Sequence, residues 1–306
     1  MAIGNCGVTT SPQGRELKDH GTALFPVSCY GGSLEEHPVP WHWHDELEVV
    51  VVERGLAAVS VDGGQYALSA GQGIFISAGA LHRTLSLAPG CWLHSIVFHP
   101  RIIGAMDSIY WQQYLQPLTA NPACRCVLLD GSAPWSREAV TQVEAAWQSC
   151  VAEPPGFEFQ ARAALSWLIY LLSRHCPAAP SAQPEKLRRS GDRVKVMLQY
   201  IQAHYGEELT TAQIAASALV SESECLRCFR AVLDASPIQY LRQLRIQKAA
   251  ELLEGTDQSV SEIGALCGFQ EMSYFAKTFR ELKGCTPSQY RKGKRSARPV
   301  LSSGGC

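Results

Sequence analysis

The sequence predicts an α+β chain of two domains, an N-terminal β-barrel with helices behind it and a C-terminal domain that is all helix. Three observations predict it. Residues 24–100 break into short apolar runs separated by turn signals. Beyond about residue 191 that pattern gives way to apolar residues at helical spacing. Between the two lie Pro177, Pro180 and Pro184, the punctuation of a linker. The length of 306 residues suits about two domains. A hydrophobic content of 46% against 18% charged excludes a disordered or fibrous chain.

In order along the chain, Leu47–Val52, Ala57–Val61 and Gly73–Ile76 read as strands. They are separated by Glu53-Arg54-Gly55, Asp62-Gly63-Gly64 and Ser69-Ala70-Gly71. Asp-Gly between β-favouring runs predicts a tight hairpin. Strands so closely spaced, with no helical periodicity between them, predict a sandwich or small barrel over residues 1–100. After Pro100 come Val140, Val143, Trp147, Cys150 and Val151, then Leu165, Leu168, Ile169 and Leu172, all at helical spacing. Pro154-Pro155-Gly156 divides them into two amphipathic helices. The Leu165–Leu172 stripe either seals a partner helix, which makes residues 101–175 a dimerisation region and the chain a homodimer, or packs only on the chain's own barrel; the first is the expectation. Residues 176–190 read as the linker, 191–293 as the helical domain, and 294–306 as a basic, disordered tail.

The helical domain repeats itself. Phe229-Arg-Ala-Val-Leu-Asp-Ala-Ser-Pro-Ile-Gln-Tyr240 aligns at an offset of 50 with Phe279-Arg-Glu-Leu-Lys-Gly-Cys-Thr-Pro-Ser-Gln-Tyr290. In each copy a hydroxyl caps the next helix and proline takes its first position, where no N–H is needed. Upstream, Ile214-Ala215 matches Ile263-Gly264, each followed by a short turn. Ser221-Glu-Ser-Glu224 and Ser259-Val-Ser-Glu262 both fit a capping box. A short helix, a turn and a longer helix is the helix-turn-helix arrangement, present twice and bridged by a helix from Pro237 to Leu253. Charge supports a polyanionic partner. Residues 1–184 carry 9 Lys+Arg against 15 Asp+Glu, whereas 185–306 carry 18 against 13. Arg227, Arg230, Lys277, Arg280 and Lys283 lie on or beside the two second helices, Arg242, Arg245 and Lys248 on the bridge, and Arg291–Arg298 in the tail.

The 12 cysteines are scattered. With no export signal and no apolar stretch near the ~18 residues of a membrane span, reduced thiols and a cytoplasmic location are expected. Cys225-Leu-Arg-Cys228 lacks a second pair and reads as buried packing rather than a zinc or redox site.

Residues 192–291 resemble the DNA-binding domain of AraC-type transcriptional regulators. The resemblance is carried by Ile263-Gly-Ala-Leu-Cys-Gly-Phe269, Ser273-Tyr-Phe275, Phe279-Arg280, Gly284 and Thr286-Pro287-Ser-Gln-Tyr290-Arg291. It implies recognition helices over about Glu222–Val232 and Glu271–Leu282, set in successive major grooves. The positions that face bases would be Ser223, Glu224, Leu226 and Arg227, and Met272, Ser273, Ala276 and Lys277. Arg227 and Lys277 can donate to guanine, and either can instead contact phosphate, Lys277 equally so. Phe229, Phe275 and Phe279 are expected in the core. Asp234 stands where the second copy has Gly284, so that turn is expected to differ.

A second resemblance lies in the barrel. His42-Trp-His44-Asp-Glu-Leu-Glu48 with Gly55, and Gly71…Gly79-Ala-Leu-His82, resemble the two cupin motifs. The side-chain period of a strand puts 42, 44 and 48 on one face. Three departures stand out: Glu36 where a glycine is expected, Ser77 for proline and Ser86 for asparagine. The resemblance implies a sensor barrel with its site at His42, His44, Glu48 and His82. That site would bind a small-molecule effector such as a sugar or other metabolite, hold a divalent metal, or brace the barrel. Trp41 and Trp43 are expected to pack outward. The function implied is a sequence-specific activator that binds double-stranded DNA and recruits RNA polymerase, with no membrane partner. A cupin metalloenzyme with an accessory nucleic-acid domain, or a DNA-binding protein with an inert barrel, are the alternatives.

Overall fold

The structure is a computed structural model and describes residues 3, 4, 16, 18–176 and 185–296. It divides into two compact units, Met1–Lys195 and Val196–Cys306. The first holds β1 (Val27–Ser33), β2 (Val39–His42), β3 (Leu47–Arg54), β4 (Leu56–Val61), β5 (Gly64–Ser69), β6 (Gly73–Ile76), β7 (His82–Ser86), β8 (Trp92–Phe98) and β9 (Cys126–Leu129). These form two antiparallel sheets, ordered β1-β8-β3-β6-β9 and β2-β7-β4-β5. Asp62 and Gly63 join β4 to β5 with φ of 46° and 89°, the left-handed pair that a two-residue hairpin asks for.

Val50, Val52, Val59, Val61, Leu68, Ile74 and Leu93 belong to a core drawn from both sheets. The other face of the five-stranded sheet, with Val49, Val51, Phe75 and Ile96, is covered by α2 (Pro134–Ala152) and α3 (Phe157–His175). A short helix, α1 (Gln116–Ala120), precedes them. Strand β3 therefore has no solvent face, which is why it runs Val49-Val50-Val51-Val52 without alternation. His94 of β8 fastens α2 to the sheet. Its Nδ1 lies 3.0 Å from Glu53 Oε1 and its Nε2 2.9 Å from Glu144 Oε1, with Trp147 against the ring. Burial alone would lower its pKa, but Glu144 and Glu53 outweigh burial and hold it raised.

Several expectations are corrected here. β9 lies within the region read as helical and pairs with β6 from Cys126↔Ile76 to Leu129↔Gly73, so the sheet continues beyond residue 100. Four residues are too few to show a period. Leu165, Leu168, Ile169 and Leu172 are buried in their own unit against the sheet and α2, so that stripe is not a dimer seal. The large apolar residues that α3 turns outward are Phe159, Trp167 and Tyr170. Cys124 and Cys176 form a disulfide, against the expectation of reduced thiols throughout. Their Cα atoms are 6.1 Å apart across a sequence separation of 52, a proximity that spacing does not reveal. The part of the linker at 177–184 lies outside the described residues, and 185–190 already belong to α4 (Glu185–His204).

The second unit contains α5 (Thr211–Ser217), α6 (Glu222–Leu233), α7 (Pro237–Gly255), α8 (Val260–Leu266), α9 (Met272–Lys283) and α10 (Pro287–Ser296). The tail read as disordered thus begins as helix to residue 296, and 297–306 lie outside the described residues. The repeated Phe and Tyr pack on each other in both copies, Phe229–Tyr240 at 6.4 Å and Phe279–Tyr290 at 5.5 Å, both edge to face. Complete capping boxes start α5 (Thr210 with Gln213), α7 (Ser236 with Gln239) and α8 (Ser259 with Glu262). Asp234 takes the same left-handed conformation as Gly284, with φ of 51° and 76°, so those turns do not differ. The copies part company in the turn inside each helix-turn-helix. Leu219, with φ 54°, stands where the second copy has Gly268, with φ 79°. A Cβ on Gly268 would come within 2.8 Å of Tyr205 O and Arg245 Nη2.

Two stability predictions follow from these contacts. Leu219 is 95% exposed in a conformation that costs a side chain about 1–2 kcal/mol. Leu219→Gly should therefore raise the thermal stability of the C-terminal unit, while Gly268→Ala should lower it by at least that amount. Because the pKa of folded His94 is raised, its stabilisation is complete below the unfolded value of about 6.5 and is lost as pH rises through the folded value. Melting curves of the full chain should show that loss on raising pH, and His94→Gln should abolish it.

Candidate functional site

The barrel site is assembled from both sheets. β2 ends at His42, directly opposite His82 of β7 in the register. His44 lies in the connection to β3, fixed by a bond from Gly79 N to its carbonyl. Glu48 is on β3, in the other sheet. The single extended strand read from the sequence is therefore broken after His42, yet the four residues still converge. The His42 and His82 ring centroids are 4.1 Å apart, and His44 and His82 5.2 Å. Glu48 Oε2 lies 2.9 Å from His82 Nε2 and 3.4 Å from His44 Nε2. All four side chains are buried.

Each of the three rings is held from behind. Nδ1 of His42, His44 and His82 lies 2.9, 3.2 and 2.8 Å from the carbonyl oxygens of Pro40, Glu46 and Ala80. A carbonyl only accepts, so Nδ1 carries the hydrogen and Nε2 points inward. Burial pushes the His42 imidazole well below its ordinary range, with His82 and His44 adding to the effect. Burial alone would raise Glu48, but the bonds from His44 and His82 outweigh it and hold the carboxyl well below the usual range. His44 and His82 thus meet oxygen atoms at both nitrogens, an arrangement that a cation at the centre would complete. Metal-binding histidines are oriented in this way, by an acceptor on the far nitrogen. The four donor atoms lie within 4.8 Å of one another. The residues present therefore fit the divalent metal that a cupin fold implies; imidazole and carboxylate donors suit Zn²⁺, Fe²⁺, Mn²⁺ or Ni²⁺. The cavity they line has a volume of about 30 Å³, room for a water or one ion. A sugar ring enters only if lining groups move.

Sequence reasoning missed two neighbours. Glu16 Oε2 lies 3.2 Å from His20 Nε2 and 3.8 Å from His42 Nε2, and Tyr30 OH lies 2.9 Å from His20 Nδ1. Only the spacing of Glu16 and His20, four apart, could have hinted at them. It also missed the clamp beneath His82. Arg125 Nε bonds Asp62 Oδ2 at 2.8 Å, its Nη2 bonds Gly79 O at 2.8 Å, and Asp62 Oδ1 accepts from Leu81 N. Trp41 is buried beneath the Arg83 guanidinium, 4.8 Å from its ring centre, and Trp43 is partly buried.

The second candidate surface is the pair of helices α6 and α9. On α6, Ser223 is exposed and Glu224, Leu226 and Arg227 are half-buried; on α9, Ser273 and Lys277 are exposed, and Ala276 and Met272 half-buried. Met272 packs on the core of its own repeat. Cys225, Cys228, Phe229, Phe275 and Phe279 are buried. Ser221 caps α6 only by its hydroxyl, since Glu224 does not complete the box. Its carboxylate takes Arg227 Nε at 2.8 Å and Nη2 at 2.6 Å instead, a bidentate pair stronger than a single neutral bond. Of the expected basic residues, Arg245 is committed to structure, bonding Tyr205 O and Glu207 O at 2.7 and 2.6 Å. Lys248 pairs with Glu251. Arg230, Lys277, Arg280 and Lys283 remain exposed.

Comparison with known proteins agrees with this division. Residues 24–133 match the family described as an AraC-like ligand binding domain, and residues 214–293 the family described as a helix-turn-helix domain. The HTH-type transcriptional regulator YdeC of Bacillus subtilis (strain 168) is 27% identical over 91% of this chain and 96% of its own. The HTH-type transcriptional activator RhaS of Shigella sonnei (strain Ss046) is 24% identical over 90% of this chain and 97% of its own. An AraC-type transcriptional regulator structure from Chromobacterium violaceum is 31% identical over 36% of this chain and 96% of its own, with a TM-score of 0.34. With both domain families matched in order and relatives aligned along nearly the whole length, the chain belongs to the AraC family of transcriptional regulators, with an N-terminal ligand-binding domain and a C-terminal helix-turn-helix DNA-binding domain.

Proposed function

We propose that this chain is a cytoplasmic, sequence-specific activator of transcription rather than an enzyme. On this reading it senses a small ligand at His42, His44, Glu48 and His82 and reads DNA through α6 and α9. The observation that carries the reading is the repeated helix-turn-helix, in which both second helices bury their phenylalanines and expose Ser223, Ser273 and Lys277, with Arg227 half-buried beside them. Two such helices can read two successive major grooves, with the arginine fork supplying base discrimination and the lysines phosphate contact. A ligand acts by binding one state of the regulator more tightly than another, shifting its population. Recruitment of RNA polymerase and homodimerisation belong to the same reading. The dimer would use a face other than the buried α3 stripe. None of the described helices is long and apolar enough to cross a membrane.

Genome-wide mapping of bound sites, followed by binding of the full chain to the recovered operator, tests this. Affinity should fall steeply with salt, because phosphate neutralisation releases counterions. Arg227→Ala should cost about 1–3 kcal/mol and relax preference at one base pair; a uniform loss across operator variants would reduce it to a phosphate contact. Glu224→Ala, which frees the same fork, should alter preference at that base pair and nowhere else. His44→Ala and His82→Ala should abolish the transcriptional response to the natural inducer and leave basal operator binding intact. An unchanged dose response in both would remove the barrel site from the reading.

A further inference from the structure

Helix α3 ends at a crosslink that the functional reading does not use. Cys176 closes the helix and is bonded to Cys124 across a sequence separation of 52. Cys124 is fully buried in the single turn Pro122–Cys124, whereas Cys176 is half-buried at the helix end. His175, just before it, stacks on Trp135 with ring centroids 5.0 Å apart. The residue after Cys124 is Arg125, and it holds the turn that carries the barrel site. Its carbonyl accepts from Ser77 N at 3.0 Å, and its guanidinium bonds Ala78 O at 3.1 Å and Gly79 O at 2.8 Å. Gly79 N in turn bonds His44 O at 2.7 Å, and Ala80 O lies 2.8 Å from His82 Nδ1. The anchor of both histidines is thus the next residue along from the disulfide. The other described cysteines offer no comparable pair. Cys29 and Cys150 bond each other, and Cys225 and Cys228 share α6, but all four are buried.

We propose that Cys124 and Cys176 are a reversible thiol–disulfide site, oxidised by peroxide and reduced by low-molecular-weight thiols, whose state sets how firmly the turn behind His44 and His82 is held. The inference rests on the cytoplasmic location and the barrel site proposed above, and names a regulation of that site. A disulfide formed in a reducing compartment is characteristically transient and redox-sensing rather than a permanent brace. Exposure supports the assignment, since exchange needs one sulfur within reach and Cys176 provides it. In oxidation the Cys176 thiolate attacks one oxygen of hydrogen peroxide, the O–O bond breaks, and hydroxide leaves to become water. The Cys124 thiol then attacks the sulfenic sulfur, the S–S bond forms and a second water departs. In reduction a small thiolate attacks the Cys176 sulfur and the electron pair of the S–S bond leaves on Cys124, which takes a proton. A second small thiol displaces Cys176 and carries the oxidation away as its own disulfide.

The test is mass spectrometry of the full chain after thiol alkylation, in glutathione buffers stepped from fully reduced to fully oxidised and after hydrogen peroxide. Cys124 and Cys176 should pass together from alkylated to protected within that range, and a return to reducing buffer should restore them. Hydrogen exchange reads the coupling to the site. On reduction the Ser77, Gly79 and Leu81 amides should exchange at least about fivefold faster, while those of β4 stay unchanged. Cys176→Ser should match the reduced wild type in every buffer, with a melting curve to confirm that it is folded. A pair that never bonds, or a bond that survives the fully reduced buffer, overturns the proposal. So does unchanged exchange at residues 77–81 when the bond opens, because the crosslink is then only a local tie on α3. These readouts need neither inducer nor operator, so failure of the sensor reading, seen as an unchanged dose response in His44→Ala and His82→Ala, is a separate result.

Discussion

A carboxylate on a strand covered from both sides has to be answered by its neighbours, and Glu48 sits on such a strand. Odd-numbered residues of β3 face α2 and α3, and Val50 and Val52 face the barrel core. Glu48 continues that inward row with a charge. An ionised carboxylate taken from water is tolerated only with partners, and His44 and His82 supply them. Their rings can do so because backbone carbonyls two residues away hold the far nitrogens. The loop that delivers His82 is in turn clamped by Arg125 and Asp62. Each layer of the site is a response to the one inside it.

Much of this was legible in the sequence, and the reasons are local. Asp62-Gly63 announces its hairpin because few other pairs accept two left-handed residues. Ser236-Pro237 and Thr286-Pro287 mark helix starts because a hydroxyl and a missing N–H both suit that position. His42, His44, Glu48 and His82 were found by motif, although the geometry behind the motif is not the single strand that a period of two suggests.

What the sequence hid is of one kind, the identity of a partner across space. The Leu165–Leu172 stripe shows a face that must be covered and not what covers it; here it is the chain's own sheet. Ser221 and Glu224 fit a capping box, but Arg227 competes for the same carboxylate and prevails, because a charged fork makes the better bond. Glu16 and His20 reach the site from outside any motif, and Cys124 finds Cys176 across a sequence separation of 52. β9 is hidden differently: it is an edge strand too short to carry a period.

The bridging helix α7 has a consequence for the DNA itself. It is 19 residues long, about 28 Å of continuous helix, and it is pinned rather than hinged. Arg245 bonds the backbone at Tyr205 and Glu207 and stacks near Phe269, just past the second turn. On the proposed reading such a strut acts as a ruler. The separation of the two reading heads is set by the length of this helix and its pins, so the spacer between half-sites becomes part of the address. A base pair inserted there turns one half-site away from its helix without altering a single contacted base.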